Sequence, residues 1–327
     1  MFYGCSSLES LDLTNLDTSN VIRMDYMFYG CSSIKSLNLS NFNTSSSTNM
    51  ARIFYGCSSL ESLDLTNLDT SNVIRMDSMF NGCSSIKSLN LSNFDTSKTT
   101  NMGHIFYGCS SLESLDLISF DTSKVVYMDN MYNGCNSLKS VNLNNFNTSK
   151  VQNIENMFYN CNSLISLDLG NFDLLSINNI NNIFYGCNSL LILNLENSKI
   201  SNISKFLQNT STLAGLKYLN LGNLQATFDN EIYNIINNNL IFCINNHSLL
   251  ITQYLNMSNL HNNNCSDICF SKNKKIIKDK QICLFNCSDD NIYKYEYNGI
   301  CYKDSQTDTI NNSYTSVINE ETDSDKI

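Results

Sequence analysis

Apolar and polar positions recur along this chain with a fixed 26-residue period. A cysteine marks the register of each unit, at Cys5, Cys31, Cys57, Cys83, Cys109, Cys135, Cys161 and Cys187. A ninth unit continues in phase, with Leu213 in the cysteine slot. A period between about 20 and 50 residues indicates stacked coils that share one core, because a lone coil cannot bury its own apolar face.

The residues after each cysteine predict a β-strand. In the first coil, apolar residues alternate so that Leu11 and Leu13 enter the core while the residues between them point outward. Stacking of the coils then gives a parallel sheet with strands about 4.8 Å apart. We predict that its outward, concave face binds a ligand, through Ser10, Asp12, Thr14, Ser36, Asn38, Ser62, Asp64, Ser88, Asn90, Ser114, Asp116, Asn142, Asp168 and Asn194.

The second half of each coil predicts a short helix. Val21, Met24, Met27 and Cys31 are spaced three to four residues apart, as on one face of a helix. Asp17-Thr18-Ser19 supplies residues typical of an N-cap. Gly30 stands where a left-handed residue ends a helix, and the same slot changes to Asn160 in one coil.

Two polar rows alternate from coil to coil. The slot four residues after the cysteine alternates between Glu and Lys, and the slot seven residues after it alternates between Asp and Asn. Because stacked like charges repel, this alternation favours a double unit made of two coils. Residues 2–50 and 54–102 are near copies that differ at Tyr26/Ser78, Tyr29/Asn81 and Ser46/Lys98. Since these exchanges ignore size and polarity, we predict that these positions lie on the surface.

The segment from Met79 to Met102 carries the repeat in full, as M-F-N-G-C-S-S-I-K-S-L-N-L-S-N-F-D-T-S-K-T-T-N-M. It resembles the BspA-like leucine-rich repeat, and the L-x-x-L-x-L spacing is the strand signature of leucine-rich repeats. The resemblance covers about two thirds of the chain. It implies a leucine-rich-repeat right-handed coil, an α/β solenoid with a parallel sheet on one face and short helices on the other. It also implies a cell-surface protein that adheres to partners without enzymatic chemistry.

The eight repeat cysteines are predicted to be packing residues. Zinc needs ligands that converge on one point, whereas these cysteines form a line along the solenoid. Disulfides between neighbouring coils need Cα atoms within about 7 Å, which is closer than neighbouring helices allow. A small buried apolar side chain in each coil is the favoured interpretation.

Cysteine usage changes beyond the repeats, where we expect a cysteine-rich module. Six cysteines fall in a segment poor in core-forming residues: Cys243, Cys265, Cys269, Cys283, Cys287 and Cys301. In an extracellular protein this pattern indicates disulfides, and the alternative is a zinc site built from the two C-x3-C pairs. The predicted domains are 1–222 for the solenoid, 223–260 for a C-terminal cap that includes a strand at 240–244, 261–303 for the cysteine-rich module and 304–327 for a disordered acidic tail.

Charge and composition exclude several classes of function. The net charge is −10, which disfavours binding to nucleic acid phosphates. No apolar run reaches the length of a membrane span, and Met1 opens on an interior repeat position in place of a signal peptide. We therefore expect the chain to be an N-terminally truncated copy of a longer protein.

No pattern of a catalytic site is present, because the three histidines are isolated and the aspartates form a regular row. The sequence favours a non-enzymatic adhesion protein at the cell surface or outside the cell, with a protein or glycan ligand and no cofactor, metal or nucleic acid. The alternative is an intracellular leucine-rich-repeat scaffold for protein–protein interaction.

Overall fold

A computed structural model of the chain describes residues 1–13, 15–207, 215–227, 229, 241–243, 275–277, 282–284, 286–292, 295–297 and 300–302. The first elements are β1 (Ser36–Leu37), β2 (Ser62–Leu63), β3 (Ser114–Leu115), β4 (Ser140–Val141), β5 (Ser166–Asp168) and β6 (Ile192–Asn194). They are followed by β7 (Lys199–Asn202), α1 (Ile203–Phe206), β8 (Tyr218–Asn220), β9 (Gln225–Thr227) and β10 (Ile241–Cys243). The remaining strands are β11 (Lys275–Ile277), β12 (Ile282–Leu284), β13 (Tyr295–Tyr297) and β14 (Ile300–Tyr302).

The predicted parallel sheet is confirmed, and its strands up to β8 pair in the 26-residue register of the repeat. Strand β10 departs from that register, because Ile241 pairs with Tyr218, 23 residues earlier. Ser36 pairs with Ser62, and Ser114 with Ser140, so each residue pairs with its equivalent in the next coil. Strands β5, β6, β8 and β10 continue as one parallel sheet. Strand β10 lies at the predicted last strand, so the sheet extends into the segment assigned to the cap.

A second parallel ladder runs along another side of the solenoid. Single residues from successive coils form bridges eight residues before each cysteine, at Arg23, Asn49, Arg75, Asn101, Tyr127, Asn153 and Asn179. Each coil is therefore hydrogen-bonded to the next on two sides. This double connection makes the described coils a continuous stack, while the right-handed sense of the coil stays a prediction.

The predicted repeat helices are wrong. In the second coil the N–H groups of Met27 and Tyr29 donate to carbonyls three residues earlier, at 3.3 and 3.2 Å, which makes tight turns. The N–H groups between them donate to the next coil, for example Phe28 to the carbonyl of Ile53 at 2.9 Å. An α-helix needs every N–H for a carbonyl four residues earlier, so hydrogen bonds between coils replace it. Among the described residues the only α-helix is the short α1.

Two left-handed residues per coil make these turns. The predicted positive φ is confirmed at Gly30 (70°) and at Asn160 (57°), although both lie in turns and end no helix. A second left-handed residue, four positions earlier, was not predicted and is never glycine, with Tyr26, Arg52, Ser78, His104, Asn130, Asn156 and Asn182 at φ between 53° and 61°. A left-handed residue at this point interrupts any helix through the segment.

The residues predicted to form an N-cap instead stabilise a local turn and the contact with the next coil. The carboxylate of Asp17 accepts the N–H of Ser19 at 2.9 Å in a local turn. Thr18 is buried, and its hydroxyl donates to the carbonyl of Asn43 on the next coil at 3.0 Å. Equivalent threonines repeat this bond at 2.8–3.1 Å, at Thr44, Thr70, Thr96, Thr122 and Thr148. This row satisfies buried polar groups between coils.

Stacked aromatic rings form the centre of the core. The slot three residues before each cysteine holds rings whose centroids lie 5.2–6.4 Å apart, at Phe2, Phe28, Phe54, Phe80, Phe106, Tyr132, Phe158 and Phe184. The stack ends edge-to-face on Phe206 of α1. Tyr132 is the one tyrosine in this row, and its buried hydroxyl has no hydrogen-bond partner.

Replacing Tyr132 with Phe is expected to stabilise the protein by about 1–2 kcal/mol, because a buried hydroxyl without a partner carries its full desolvation cost. Urea unfolding of the two proteins measures the difference. Phe158→Tyr, which adds a hydroxyl in the next coil, is the matched control and should destabilise by a similar amount. A loss of stability in Tyr132→Phe would show that the hydroxyl is bonded in solution.

The repeat cysteines form a buried row of thiols, which confirms the prediction that they are packing residues. All eight are free, and all except Cys5 are buried. Each buried thiol also donates to a carbonyl of the preceding coil, for example Cys83 to Phe54 at 3.2 Å and Cys109 to Phe80 at 3.1 Å. Burial raises the pKa of Cys57 to about 12 and raises that of Cys83 well above its ordinary value. The thiols are therefore neutral in the folded protein.

Candidate functional site

The predicted strand face carries a regular row of polar side chains. Of the predicted residues, Ser10, Asp12, Ser36, Asn38, Ser62, Asp64, Ser88, Asp116 and Asn142 are exposed, and Asn90, Ser114 and Asp168 are half-buried. Thr14 lies outside the described residues. Asn194 is only 4% exposed, so it offers nothing to a ligand and is a correction to the predicted face. The pairing of neighbouring strands in register aligns the remaining residues in rows.

The acidic and amide side chains of this face are held by their own backbone. Asp64 accepts the N–H of Thr66 at 3.0 Å and its hydroxyl at 2.7 Å through the same oxygen, Oδ1. These two bonds lower the pKa of Asp64, the backbone bond more than the hydroxyl. The same turn recurs at Asn38, Asn90, Asp116, Asn142, Asp168 and Asn194. The side chains of this row therefore stabilise the turns that follow the strands, and these turns hold each side-chain oxygen at a fixed position.

Asp64→Ala is expected to destabilise the protein by about 1 kcal/mol, since the N–H of Thr66 loses its local acceptor. Asp64→Asn is the matched control, because Asn occupies this slot in the neighbouring coils and can accept the same bond. Urea unfolding distinguishes the two variants. Equal destabilisation by both would show that the negative charge, and not the turn, is what matters.

The polar strand face ends toward the C-terminal coils. In the seventh and eighth coils the charged and serine slots become Ile165, Leu191 and Ile192, and all three are buried. Tyr218, in the serine slot of the ninth coil, is also buried, so it cannot serve as an aromatic anchor for a ligand. The accessible strand face therefore belongs to the first six coils.

A second accessible surface, on the turn side of the first four coils, was not predicted. We call it the tyrosine–arginine patch; it consists of Tyr3, Arg23, Asp25, Tyr26, Tyr29, Arg52, Tyr55, Arg75 and Asp77. The rings of Tyr3, Tyr29 and Tyr55 stack at centroid distances of 4.7 and 4.5 Å. All three arginines of the chain lie in this patch. The clustering of all three arginines in three successive coils was the feature of the sequence from which this surface could have been predicted.

Two bidentate ion pairs fix the arginines. Arg23 donates to Asp25 at 3.0 and 2.7 Å, and Arg75 donates to Asp77 at 2.9 and 3.0 Å. The guanidinium of Arg52 lies 5.3 Å from the ring centre of Tyr26, donates to its hydroxyl at 2.6 Å and stands 3.8 Å from Asp77. The hydrogen bond from Arg23 holds the pKa of the Asp25 carboxyl below its usual value.

The prediction that the positions differing between the two near copies lie on the surface is confirmed for some of them and wrong for others. Tyr26 and Tyr29 are half-buried, and Ser46 and Lys98 are exposed. Ser78 and Asn81 are buried, at 6% and 8% exposure, so the prediction is wrong for them. The same slots in the adjacent coils carry longer side chains, such as Arg52 and Tyr55.

The cysteine-rich segment contains one described disulfide, between Cys287 and Cys301, which confirms that these two of the six predicted cysteines are disulfide-bonded. Strands β11 to β14 of this segment form a separate four-stranded sheet in the order β12-β11-β14-β13. For Cys243 and Cys283 only the strand backbone is described, and Cys265 and Cys269 lie outside the described residues. The choice between disulfides and zinc for these four cysteines stays a prediction.

No cluster of three or more His, Cys, Asp or Glu side chains that could hold a metal ion occurs within the described residues. None of the helices described is long and apolar enough to cross a membrane.

Stacked coils of equal length, parallel strands and a leucine core define a solenoid of the leucine-rich-repeat type. Residues 1–90 and 82–199 match the family described as "Mycoplasma protein of unknown function, DUF285", and the chain belongs to this family. The comparison with curated proteins gives no match.

Several solved structures resemble the chain at low identity. An internalin from Listeria monocytogenes is 16% identical over 71% of this chain and 67% of its own, with a TM-score of 0.32. A leucine-rich repeat protein from Bacteroides ovatus is 19% identical over 70% of this chain and 79% of its own, with a TM-score of 0.22. The Toll–Spatzle complex of Drosophila gives 16% identity and a TM-score of 0.28, over 70% of this chain and 36% of the matched chain. Likenesses at this level carry no information about a ligand.

Proposed function

We propose that this chain is a non-enzymatic binding protein of the cell surface or the extracellular space, which presents a leucine-rich-repeat surface to a protein or glycan ligand. The observation that carries the proposal is the strand face of the first six coils, where serine, aspartate and asparagine side chains repeat in register and are exposed or half-buried. Such a face contacts a ligand through many equivalent polar groups, each contributing weakly. The resemblance to BspA-like repeats supports adhesion as the role.

The extracellular location is supported by the Cys287–Cys301 disulfide, because disulfides persist in oxidising compartments. The alternative is an intracellular scaffold in which these cysteines are reduced. Thiol labelling of the native protein followed by mass spectrometry separates the two locations. Protection of Cys287 and Cys301 supports the extracellular proposal, and full labelling of both favours the scaffold. The domain boundaries at 222, 260 and 303 belong to the same proposal.

Binding to arrays of glycans and extracellular proteins tests the function itself. A ligand that uses the strand face should be lost in the double variant Ser62→Arg and Ser88→Arg, because both serines are exposed and the added side chains cover the face. Lys98→Ala, an exposed change away from the strands, is the matched control and should bind normally. If the ligands of the native protein bind the double variant equally well, the strand face is not the site.

A further inference from the structure

We propose that the tyrosine–arginine patch is a docking surface for an acidic peptide segment of a partner protein. This inference goes beyond the proposed function, because it assigns a second surface that shares no residue with the strand face. The partner is defined by its chemistry, carboxylate side chains alternating with aromatic or aliphatic ones.

Side-chain type and exposure mark the patch as an interaction surface. Tyrosine and arginine are among the residues most enriched in the positions that dominate binding energy at protein interfaces. Tyr3 is 62% exposed, and the side chains of Arg23 and Arg75 are 69% and 48% exposed. Ile22 and Ile74, which precede the two arginines in the sequence, are 62% and 46% exposed. The patch therefore offers both aromatic rings and guanidinium groups to a partner.

Preorganisation distinguishes these side chains from mobile surface residues. Each exposed arginine is held through Nε and Nη2 by a carboxylate two residues along the chain. No described residue accepts a hydrogen bond from Nη1 of either arginine, so this nitrogen can donate to a partner. Because the side chains are already fixed, less conformational entropy is lost when a partner binds.

Charge selects an acidic partner. The three arginines and two aspartates of the patch sum to +1, in a chain whose net charge is −10. The tyrosines add to this preference, because the ring of Tyr29 is stacked between those of Tyr3 and Tyr55, and ring edges carry partial positive charge. A nucleic acid backbone is a poorer fit, since two carboxylates stand among only three cations.

The near-duplicate copy shows which part of the patch is dispensable for folding. In residues 54–102 the arginine–aspartate pair of residues 75 and 77 repeats that of residues 23 and 25, but the two tyrosine slots hold Ser78 and Asn81. The same coil geometry therefore accepts these residues in place of Tyr26 and Tyr29. The chain thus provides its own fold-compatible replacement for the aromatic part.

The test uses the full chain and a fluorescein-labelled peptide of twelve residues that alternates Glu and Tyr. Fluorescence anisotropy at about 50 mM and about 300 mM NaCl should give saturable binding that weakens at the higher salt. Tyr26→Ser with Tyr29→Asn should weaken binding at least tenfold in a protein that circular dichroism shows to be folded. Arg23→Gln with Arg75→Gln should weaken it tenfold and remove most of the salt dependence.

Two matched variants complete the design. Tyr159→Ala alters the equivalent tyrosine slot in an arginine-free part of the stack and should leave binding unchanged. Ser62→Arg with Ser88→Arg blocks the strand face and should also leave peptide binding unchanged, which separates this inference from the proposed function. Equal binding of a peptide that alternates Gln and Tyr, or of a twelve-residue oligo(dT), would overturn the acidic-peptide assignment. Unchanged binding in both patch variants would overturn the site.

Discussion

Raising the pH from 8 to about 10.5 is expected to unfold the solenoid, because its buried thiols, six of them from Cys57 to Cys187, ionise only after unfolding. Burial raises the pKa of Cys57 and Cys187 to about 12 and that of Cys83, Cys109, Cys135 and Cys161 well above the ordinary 9.0. Unfolded thiols lose their protons near pH 9, so the unfolded state then binds fewer protons than the folded one. The stability that the neutral thiols confer is complete below about pH 9 and falls as the pH rises toward 12.

The expected slope is large because the thiols act together. Each contributes about 1.4 kcal/mol per pH unit above its unfolded pKa, and six give about 8 kcal/mol per unit. This is comparable to the whole free energy of unfolding of a typical domain, about 5–15 kcal/mol. Urea unfolding monitored by circular dichroism at pH 8, 9 and 10, under reducing conditions, measures the slope.

Cys83→Ala, Cys109→Ala and Cys135→Ala combined in one variant should halve this slope, although the variant starts from a lower stability. The alanines cannot ionise, so the remaining steepness belongs to the other buried thiols and to the buried hydroxyl of Tyr132, whose pKa burial also raises. A free energy of unfolding that stays constant between pH 8 and 10.5 in the native protein would contradict the burial of the thiol row.

Phe80→Ala is expected to destabilise the protein by about 3–5 kcal/mol, the usual cost of removing a fully buried aromatic ring. The ring stacks between Phe54 at 5.7 Å and Phe106 at 5.9 Å, so its loss opens a cavity between two coils. In a repeat protein each coil contacts only its neighbours, so a weakened interface can separate the parts on either side. Thermal and urea unfolding should show a lower midpoint and a broader transition.

Phe2→Ala is the matched change at the first coil and should cost only about 1–2 kcal/mol. Phe2 is half-buried, and within the described chain it stacks on one ring, Phe28, at 5.6 Å. If the two variants lost equal stability, the coils would not be stabilised by nearest-neighbour packing.

The sequence predicted the sheet, its register and the core because these depend on a period that the cysteines make visible. It did not predict the turns, since Val21, Met24 and Met27 have the same spacing on a helix face as in this chain of tight turns. The positive φ at Tyr26, Arg52 and His104 could not be predicted from the residue type, because such residues seldom take positive φ. The asparagines at 130, 156 and 182 in the same slot were the weaker signal that favoured a turn.

For the candidate site, the sequence identified the strand face by alternation but could not show how its side chains are used. The turns that hold Asp64 and its equivalents depend on local backbone geometry, which alternation does not specify. The tyrosine–arginine patch was missed for a different reason. Arg52 and Asp77 belong to neighbouring coils and approach each other only when the coils stack, so no local sequence motif predicts their contact.

The double unit of two coils has a consequence for how such a gene can change length. Loss of the coil of Cys57 alone would place Lys35 beside Lys87, two like charges in the same row, which is unfavourable. Loss of two successive coils keeps opposite charges adjacent. Each thiol, threonine and phenyl ring next to the deletion then stacks on the equivalent residue of its new neighbouring coil. In-frame recombination between the near-identical copies removes or adds such pairs, so alleles of different length should differ by an even number of coils.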